Sequence, residues 1–361
     1  MPAPKRLILP LLALAVCATL ARAQQSASPA LQPGPPAQAG PQKIDLDVVV
    51  TPKSGKHDQP VAGLQKQDFT VLDDNTSVPI TSFQALGGPQ APVDVLLLVD
   101  AVNTNITNLA FERQQIDKFL RANGGHLAHP VELAIFTDTG TQVQQGYSSD
   151  GNQLAASLDK SDIGLRQVRR DTQYQGQDRF NLSINTLHSL IARESQLPGR
   201  KLIFWISPGW PLLSGPRVQL DNKQQQQIYS QVVALSTALR RANITLYSID
   251  SLGTGQNVQQ EFYYQSFLKG VKTPRQADLA DLSLQVLADQ TGGLVLHASN
   301  DLASHLEQAM EDTTAYYHIS FEAPPSEQPG YHSIEVKLAT PGLVARTRTG
   351  YYAGPEPEST R

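Results

Sequence analysis

Five apolar runs, "VDVLLLVD", "VELAIFT", "KLIFWIS", "ITLYSID" and "GLVLHA", each stop at polar or small residues, and stretches with helical periodicity separate them. Alternation of this kind is the signature of a parallel sheet covered by helices. The helical stripes are Ile184, Leu187 and Ile191; Ile228, Val232, Leu235 and Leu239; Leu279, Leu282 and Val286; and Leu302, Leu306 and Met310. Spacings of three and four place each set on one helix face, which packs on the sheet. Right-handed crossovers carry the strand C-termini to one edge, so Asp100, Thr137 to Thr139, Ser207 and Asp250 are expected to gather there.

The flanks have a period of two. Ile44, Leu46, Val48 and Val50 alternate with Asp45, Asp47 and Val49, and "DFTVLDDNTSVPITSFQAL" holds a short strand, an Asp-Asp-Asn turn and another strand. Beyond the last helix, "AYYHISFE", "HSIEVKL" and "ARTRTGYYA" are strands between Pro and Gly turns. The β unit of residues 43–88 is too small to be stable alone, so the late strands of 314–353 are expected to pair with it into one small β-sandwich. The α/β domain, 92–313, is then inserted in a β domain, after a Gly-Gly-Pro hinge at Gly87 to Pro89. Residues 354–361 are read as a disordered tail.

The first 23 residues differ from the rest. Lys5 and Arg6 precede the apolar "LILPLLALAVCATL", and "ARA" ends at Ala23, the pattern of a secretory signal peptide. Its apolar core falls short of the roughly 20 residues of a membrane-spanning helix, and no later segment comes close. The one cysteine, Cys17, sits in "LAVC", which loosely resembles a lipobox, but Val16 is bulkier than such a site prefers. Cleavage near Ala23, and a secreted or periplasmic protein without thiol chemistry, is the reading. It leaves 26 of the 29 Lys and Arg against 33 acids, about −7, with nothing to attract nucleic acid. Residues 24–42, rich in Pro, Ala and Gln, read as a disordered linker.

The order of "PVAGLQKQDFTVLDDN", "PVDVLLLVDAVNT", "PGRKLIFWISPGWP", "ITLYSIDSLG", "TGGLVLHASNDLASHLEQAMEDTTAYYHISFEAP" and "GYHSIEVKLATPGLVARTRTGYYA" resembles secreted von Willebrand factor A (VWA)-related proteins of the acidobacterial type. The resemblance implies a Rossmann-like VWA sheet and a place for a metal-ion-dependent adhesion site. In such sites Asp-x-Ser-x-Ser, a threonine and a further aspartate give Mg²⁺ its hard oxygen ligands. Here Asp100, Asn103 and Thr104 stand at the first motif and Thr172 is nominated for the second loop. Val102 replaces the first hydroxyl, and Pro208 stands where the third-loop carboxylate would be. The site is read as degenerate, with no metal expected. The bland alternative has Asp100 capping the turn that follows it.

Enzyme motifs are lacking. His126, His129, His188, His297, His305, His318 and His332 are scattered singly, Ser207 precedes a proline rather than sitting in Gly-x-Ser-x-Gly, and Gly253 to Gly255 lacks the third glycine of a dinucleotide loop. The reading is an exported, non-enzymatic, adhesion-like module that recognises a protein or envelope component through loops at the strand C-terminal edge. Its anchors are Trp210 and the aromatics Phe262, Tyr263, Tyr264 and Phe267, for which a local mini-core is the equal alternative. A Mg²⁺-dependent adhesion module is the second reading and an envelope hydrolase the third. Partner and oligomeric state are not encoded in any motif.

Overall fold

The computed structural model describes residues 42–53, 59–89, 91–161, 173–211, 220–251, 263–297, 301–323 and 330–354. The expected signal peptide, nearly all of the linker, and the tail beyond residue 354 lie outside them, as do Thr172, Phe262 and Gly253 to Gly255.

Strands β1 (Gln42–Pro52), β2 (Phe69–Asp73), β3 (Thr76–Val78) and β4 (Ile80–Gly87) come first. Asp74 and Asn75, both at positive φ (45° and 65°), make the tight turn between β2 and β3. The α/β domain follows with β5 (Val93–Asp100), α1 (Ile106–Arg121), β6 (His126–Thr137), β7 (Gly140–Asp150), α2 (Gly151–Lys160), α3 (Gln173–Glu194), β8 (Arg200–Ile206), α4 (Asn222–Arg241), β9 (Ile244–Ile249), α5 (Leu284–Gln290), β10 (Val295–Leu296) and α6 (Leu302–Glu311). The chain closes with β11 (Ala315–Ala323), β12 (Gly330–Leu338), β13 (Leu343–Arg346) and β14 (Gly350–Ala353).

The central sheet has the order β10-β9-β8-β5-β6-β7, parallel except for β7. Successive residues of β5 serve opposite faces. Val95, Leu97 and Val99 join α1, α2 and α6 in one core, whereas Leu96 and Leu98 join α3, α4 and α5 in another. Helices thus cover both faces, as the apolar runs require. The chain leaves β5 toward β6 and returns on the other side as β8, so the crevice beyond the C-terminal end of β5 is the switch point of the sheet.

Two features differ from expectation. β7, "GTQVQQGYSSD", carries no apolar run, because an antiparallel edge strand is covered by little else and is filled with polar residues. It is fastened instead by Tyr147, whose hydroxyl donates to Glu194 at 2.9 Å. The stripe of Leu279, Leu282 and Val286 is split between a 3-10 turn, Leu279–Leu282, and α5, with Ser283 extended between them.

The flanking strands form two four-stranded sheets, β13-β1-β11-β4 and β14-β12-β2-β3, so N- and C-terminal strands interleave in both. Ile44, Leu46, Val48 and Val50 meet Phe69, Val71, Ile319, Phe321 and Tyr351 in a third core. A buried polar cluster joins sandwich to insert. Arg346 grips the Asp312 carboxylate (2.6 and 2.5 Å), which also accepts from the Tyr247 hydroxyl, and Arg200 donates to the Asp312 carbonyl at 2.9 Å. The Arg200 guanidinium lies 4.7 Å over the Tyr316 ring and 3.6 Å from Asp47 Oδ2.

Candidate functional site: the strand C-terminal edge

The parallel register sets Asp100 beside Phe136, Val99 beside Ile206, and Ile206 beside Ile249. Asp100, Thr137, Ser207 and Asp250 therefore end or follow neighbouring strands on one edge, as the crossovers require. Thr137 turns inward to bond the Gly140 carbonyl (2.9 Å) and the Thr139 hydroxyl (3.0 Å). Ser207 is fully buried, and its Oγ accepts from the Gly209 amide at 3.1 Å.

Asp100 is the centre of the edge and is 0% exposed. Its Oδ1 accepts from the amides of Val102 (3.0 Å) and Asn103 (2.8 Å), which folds the loop back on the strand end. Oδ2 accepts from Asn103 Nδ2 (2.8 Å) and from the Trp205 indole (3.0 Å) on the neighbouring strand β8. Burial raises the carboxyl pKa, and the bonds from Asn103, Trp205 and Ser207 oppose that shift. Asn103 Nδ2 also donates to Ser183 of α3 at 2.9 Å.

A second buried acid stands beside it. Glu112 of α1 is completely buried, and its Oε1 accepts from Ser251 (2.7 Å) and Thr104 (3.3 Å). Burial pushes its carboxyl up to about 8, and the neighbouring Asp100 charge adds to the rise. Burial thus favours the neutral form of Glu112 at pH 7, while Asp100 is ringed by hydrogen-bond donors.

Asp100 has its oxygens taken up by the protein, whereas Asn103 Oδ1 and Glu112 Oε2 are buried oxygens without a hydrogen-bond partner among the described residues. A carboxylate has about four lone-pair sites, and four protein N–H groups fill those of Asp100. Thr104 is turned to Glu112, and Val102 is 3% exposed in the core with Trp205 and Trp210. Pro208 is half-buried and brings no oxygen ligand from its side chain. The capping role weighed for Asp100 is what the geometry displays.

The expectation that Trp210 is an exposed anchor is overturned. It is 4% exposed, with its ring 5.1 Å from Trp205 and 6.4 Å from Phe180. The Ser-Pro-Gly bend turns the indole back onto the sheet end instead of outward. Tyr263, Tyr264 and Phe267 lie half-buried on a 3-10 turn, Tyr263–Phe267, where the Tyr263 and Phe267 rings meet tilted at 59° with centroids 5.1 Å apart.

The residue the sequence reading missed is Ile106. It opens α1 just after the Asp100 loop and is 58% exposed, the highest value among the large hydrophobics of the described residues. Asn105 caps the helix by accepting from the Asn108 amide at 2.9 Å, which fixes Ile106 in the first turn. Its signal is an isoleucine one residue after a capping Asn.

No family model and no curated protein matches the sequence. Solved structures similar to the chain include proximal thread matrix protein 1 from the mussel byssus, with TM-score 0.38 and 14% identity over 67% of this chain and 51% of that one. An aerotolerance-related membrane protein from Bacteroides fragilis has TM-score 0.35 and 15% identity, over 61% and 98%. The ArnB paralog VWA2 from Sulfolobus acidocaldarius has TM-score 0.31 and 10% identity, over 86% and 76%. At these scores function is read from this chain's own residues. No helix among the described residues is long and apolar enough to cross a membrane.

Proposed function

We propose that the chain is an exported, non-enzymatic, VWA-related recognition module that binds a protein or envelope partner at the strand C-terminal edge without a metal. The observation that carries this is Ile106, a large apolar side chain held out to solvent in the first turn of α1, beside the loop that the Asp100 hydrogen bonds fold onto the strand end. A preorganised apolar anchor on a polar rim is how recognition surfaces gain affinity. The Tyr263 to Phe267 turn is the second contact element of the proposal.

The test is cell-surface crosslinking of the native chain with identification of the captured partner, repeated with Ile106→Glu. The side chain is exposed, so the variant folds with an unchanged melting temperature and loses capture at least tenfold. Capture equal to that of the parent refutes the surface, and the double change Tyr263→Ala, Tyr264→Ala tests the turn in the same way.

Mg²⁺-dependent adhesion is the second reading, favoured by Asn103 Oδ1 and Glu112 Oε2, buried oxygens without a hydrogen-bond partner among the described residues. A chelator-reversible rise in melting temperature with millimolar Mg²⁺ or Mn²⁺ would establish it. The metal-free reading expects no shift.

A further inference from the structure

Three metal-ligating side chains of the sandwich converge at the tight turn between β2 and β3. Asp73 ends β2, Asp74 opens the turn, and His332 comes from β12, which lies against β2 on the side away from β3. His332 Nδ1 is 2.8 Å from Asp73 Oδ1 and 3.7 Å from Asp74 Oδ2. One imidazole nitrogen and two carboxylate oxygens thus lie within 4.8 Å of one another. A single proton on Nδ1 serves Asp73 alone, since 3.7 Å is beyond hydrogen-bond reach for Asp74. A cation between the three atoms serves both acids, and no lysine or arginine pairs with either of them among the described residues.

The second oxygen of each carboxylate is held by the protein. Asp73 Oδ2 accepts from the Tyr351 hydroxyl of β14 at 2.7 Å, and Asp74 Oδ1 accepts from the Ser333 amide and the Ser333 hydroxyl, each at 3.0 Å. The His332 ring stacks on Tyr351 with centroids 5.0 Å apart. These contacts aim Asp73 Oδ1 and Asp74 Oδ2 at the imidazole, the part that outer-shell partners play around a metal ion. The side chains are 4% exposed at Asp73, 21% at His332 and 45% at Asp74, so the point between them is open to solvent on one side. His318 is the contrast: its Nδ1 faces Asp47 at 2.8 Å and its Nε2 faces Asp45 at 3.6 Å, so its two acids stand at different nitrogens and share no point.

We propose that Asp73, Asp74 and His332 form a zinc site, with the fourth position open to water, that ties the β2–β3 turn to β12. Zinc takes imidazole nitrogen and carboxylate oxygen at about 2.0–2.2 Å, which sets tetrahedral ligands roughly 3.4 Å apart. The 3.7 Å pair is close to that spacing, and the 2.8 Å pair widens by about 0.6 Å as the ion takes the place of the proton between Nδ1 and Oδ1. A mixed nitrogen and oxygen set suits zinc, whereas Mg²⁺ and Ca²⁺ prefer oxygen alone. Through Tyr351 the bound ion also steadies β14, so one site links three of the four strands of its sheet. It belongs to the sandwich, apart from the edge around Asp100 and Ile106.

The test is isothermal titration calorimetry of the full chain with Zn²⁺, paired with melting curves taken before and after a chelator. Zinc binds saturably at one ion per chain, and the melting temperature rises with the ion and returns when the chelator removes it. Asp74→Asn is made at an exposed position where asparagine accepts the positive φ, so the ion-free melting temperature stays at the parent's value while zinc binds at least tenfold more weakly. His332→Gln removes the nitrogen ligand and also weakens zinc at least tenfold, whereas His318→Gln keeps the parent's zinc affinity. A rise in melting temperature caused by Mg²⁺ at the Asp100 edge survives Asp74→Asn, so the two metal questions are read separately. Absence of saturable zinc binding, full affinity in Asp74→Asn or His332→Gln, or an equal loss in His318→Gln overturns the proposal.

Discussion

The two tryptophans are neighbours with opposite hydrogen-bond status, and this sets up a paired measurement. Trp205 donates to the fully buried Asp100 at 3.0 Å, while Trp210 Nε1 is buried without a partner among the described residues. Replacing either by phenylalanine removes the five-membered ring, a packing loss of about 1.5 kcal/mol at ~0.8 kcal/mol per buried carbon. In Trp205→Phe a hydrogen bond to a charged group also goes, worth about 1.5–3 kcal/mol, for a total near 3–4.5 kcal/mol. In Trp210→Phe an unsatisfied N–H disappears, which returns about 1–3 kcal/mol and brings the change close to neutral. Equilibrium urea unfolding followed by far-ultraviolet circular dichroism reads both, and the single remaining tryptophan of each variant gives a second probe. Trp205→Phe is expected to be the less stable of the two by at least about 1.5 kcal/mol. Equal losses, or a larger loss in Trp210→Phe, would show that the indole bond to Asp100 does not hold the edge together.

Burial pushes the Glu112 carboxyl up to about 8, from an ordinary value of 4.5. The folded state holds the extra proton between those values, so the stability from this group is full below 4.5 and is lost as pH rises through 8, by up to about 1.4 kcal/mol per pH unit. Glu112→Gln should flatten that slope in melting curves from pH 5 to 8, and an unchanged slope would count against the burial argument. His318 is raised to about 9 by hydrogen bonds with Asp45 and Asp47, so its contribution is complete below 6.5 and disappears as pH rises through 9. The melting temperature of His318→Gln should therefore fall well below the parent's at pH 6 and approach it above pH 9; a gap independent of pH would refute the ion-pair origin. Asp312→Ala strands the Arg346 guanidinium and the Tyr247 hydroxyl and should cost about 3–5 kcal/mol by urea unfolding, part of it recovered when Arg346→Met is added.

Strands β5, β6, β8 and β9 were legible because burial on both faces demands an unbroken apolar run, and the sandwich because its strands keep a period of two. β7 was not, since an edge strand rich in Gln and Ser has no hydrophobic pattern to show. At the edge, the position of Asp100 was legible and its partners were not. Trp205 looks like any apolar member of "KLIFWIS", and only the fold sets its N–H against a carboxylate. Glu112 left a weak trace, a carboxylate on the stripe of α1 that holds Leu109 and Ile116. Trp210 misled because a tight bend does not say which way the following side chain turns. In "ARTRTGYYA" the alternation of charged and small residues gives no hint that Arg346 is the arginine that finds the Asp312 carboxylate.

Gly87 faces Ala315 across β4 and β11, and the Gly88 amide donates to Thr314 at 3.0 Å. A Cβ on Gly87 would come within 2.3 Å of the Thr314 carbonyl, so only glycine allows the two crossings to lie so close. In an unfolded chain these points are about 230 residues apart, and bringing them together costs on the order of 5 kcal/mol of loop entropy. A folded insert delivers them side by side, after which β4 and β11 pair at the cost of a short loop. The topology thus imposes an order of assembly: the α/β insert nucleates first, and the terminal strands close over its neck last.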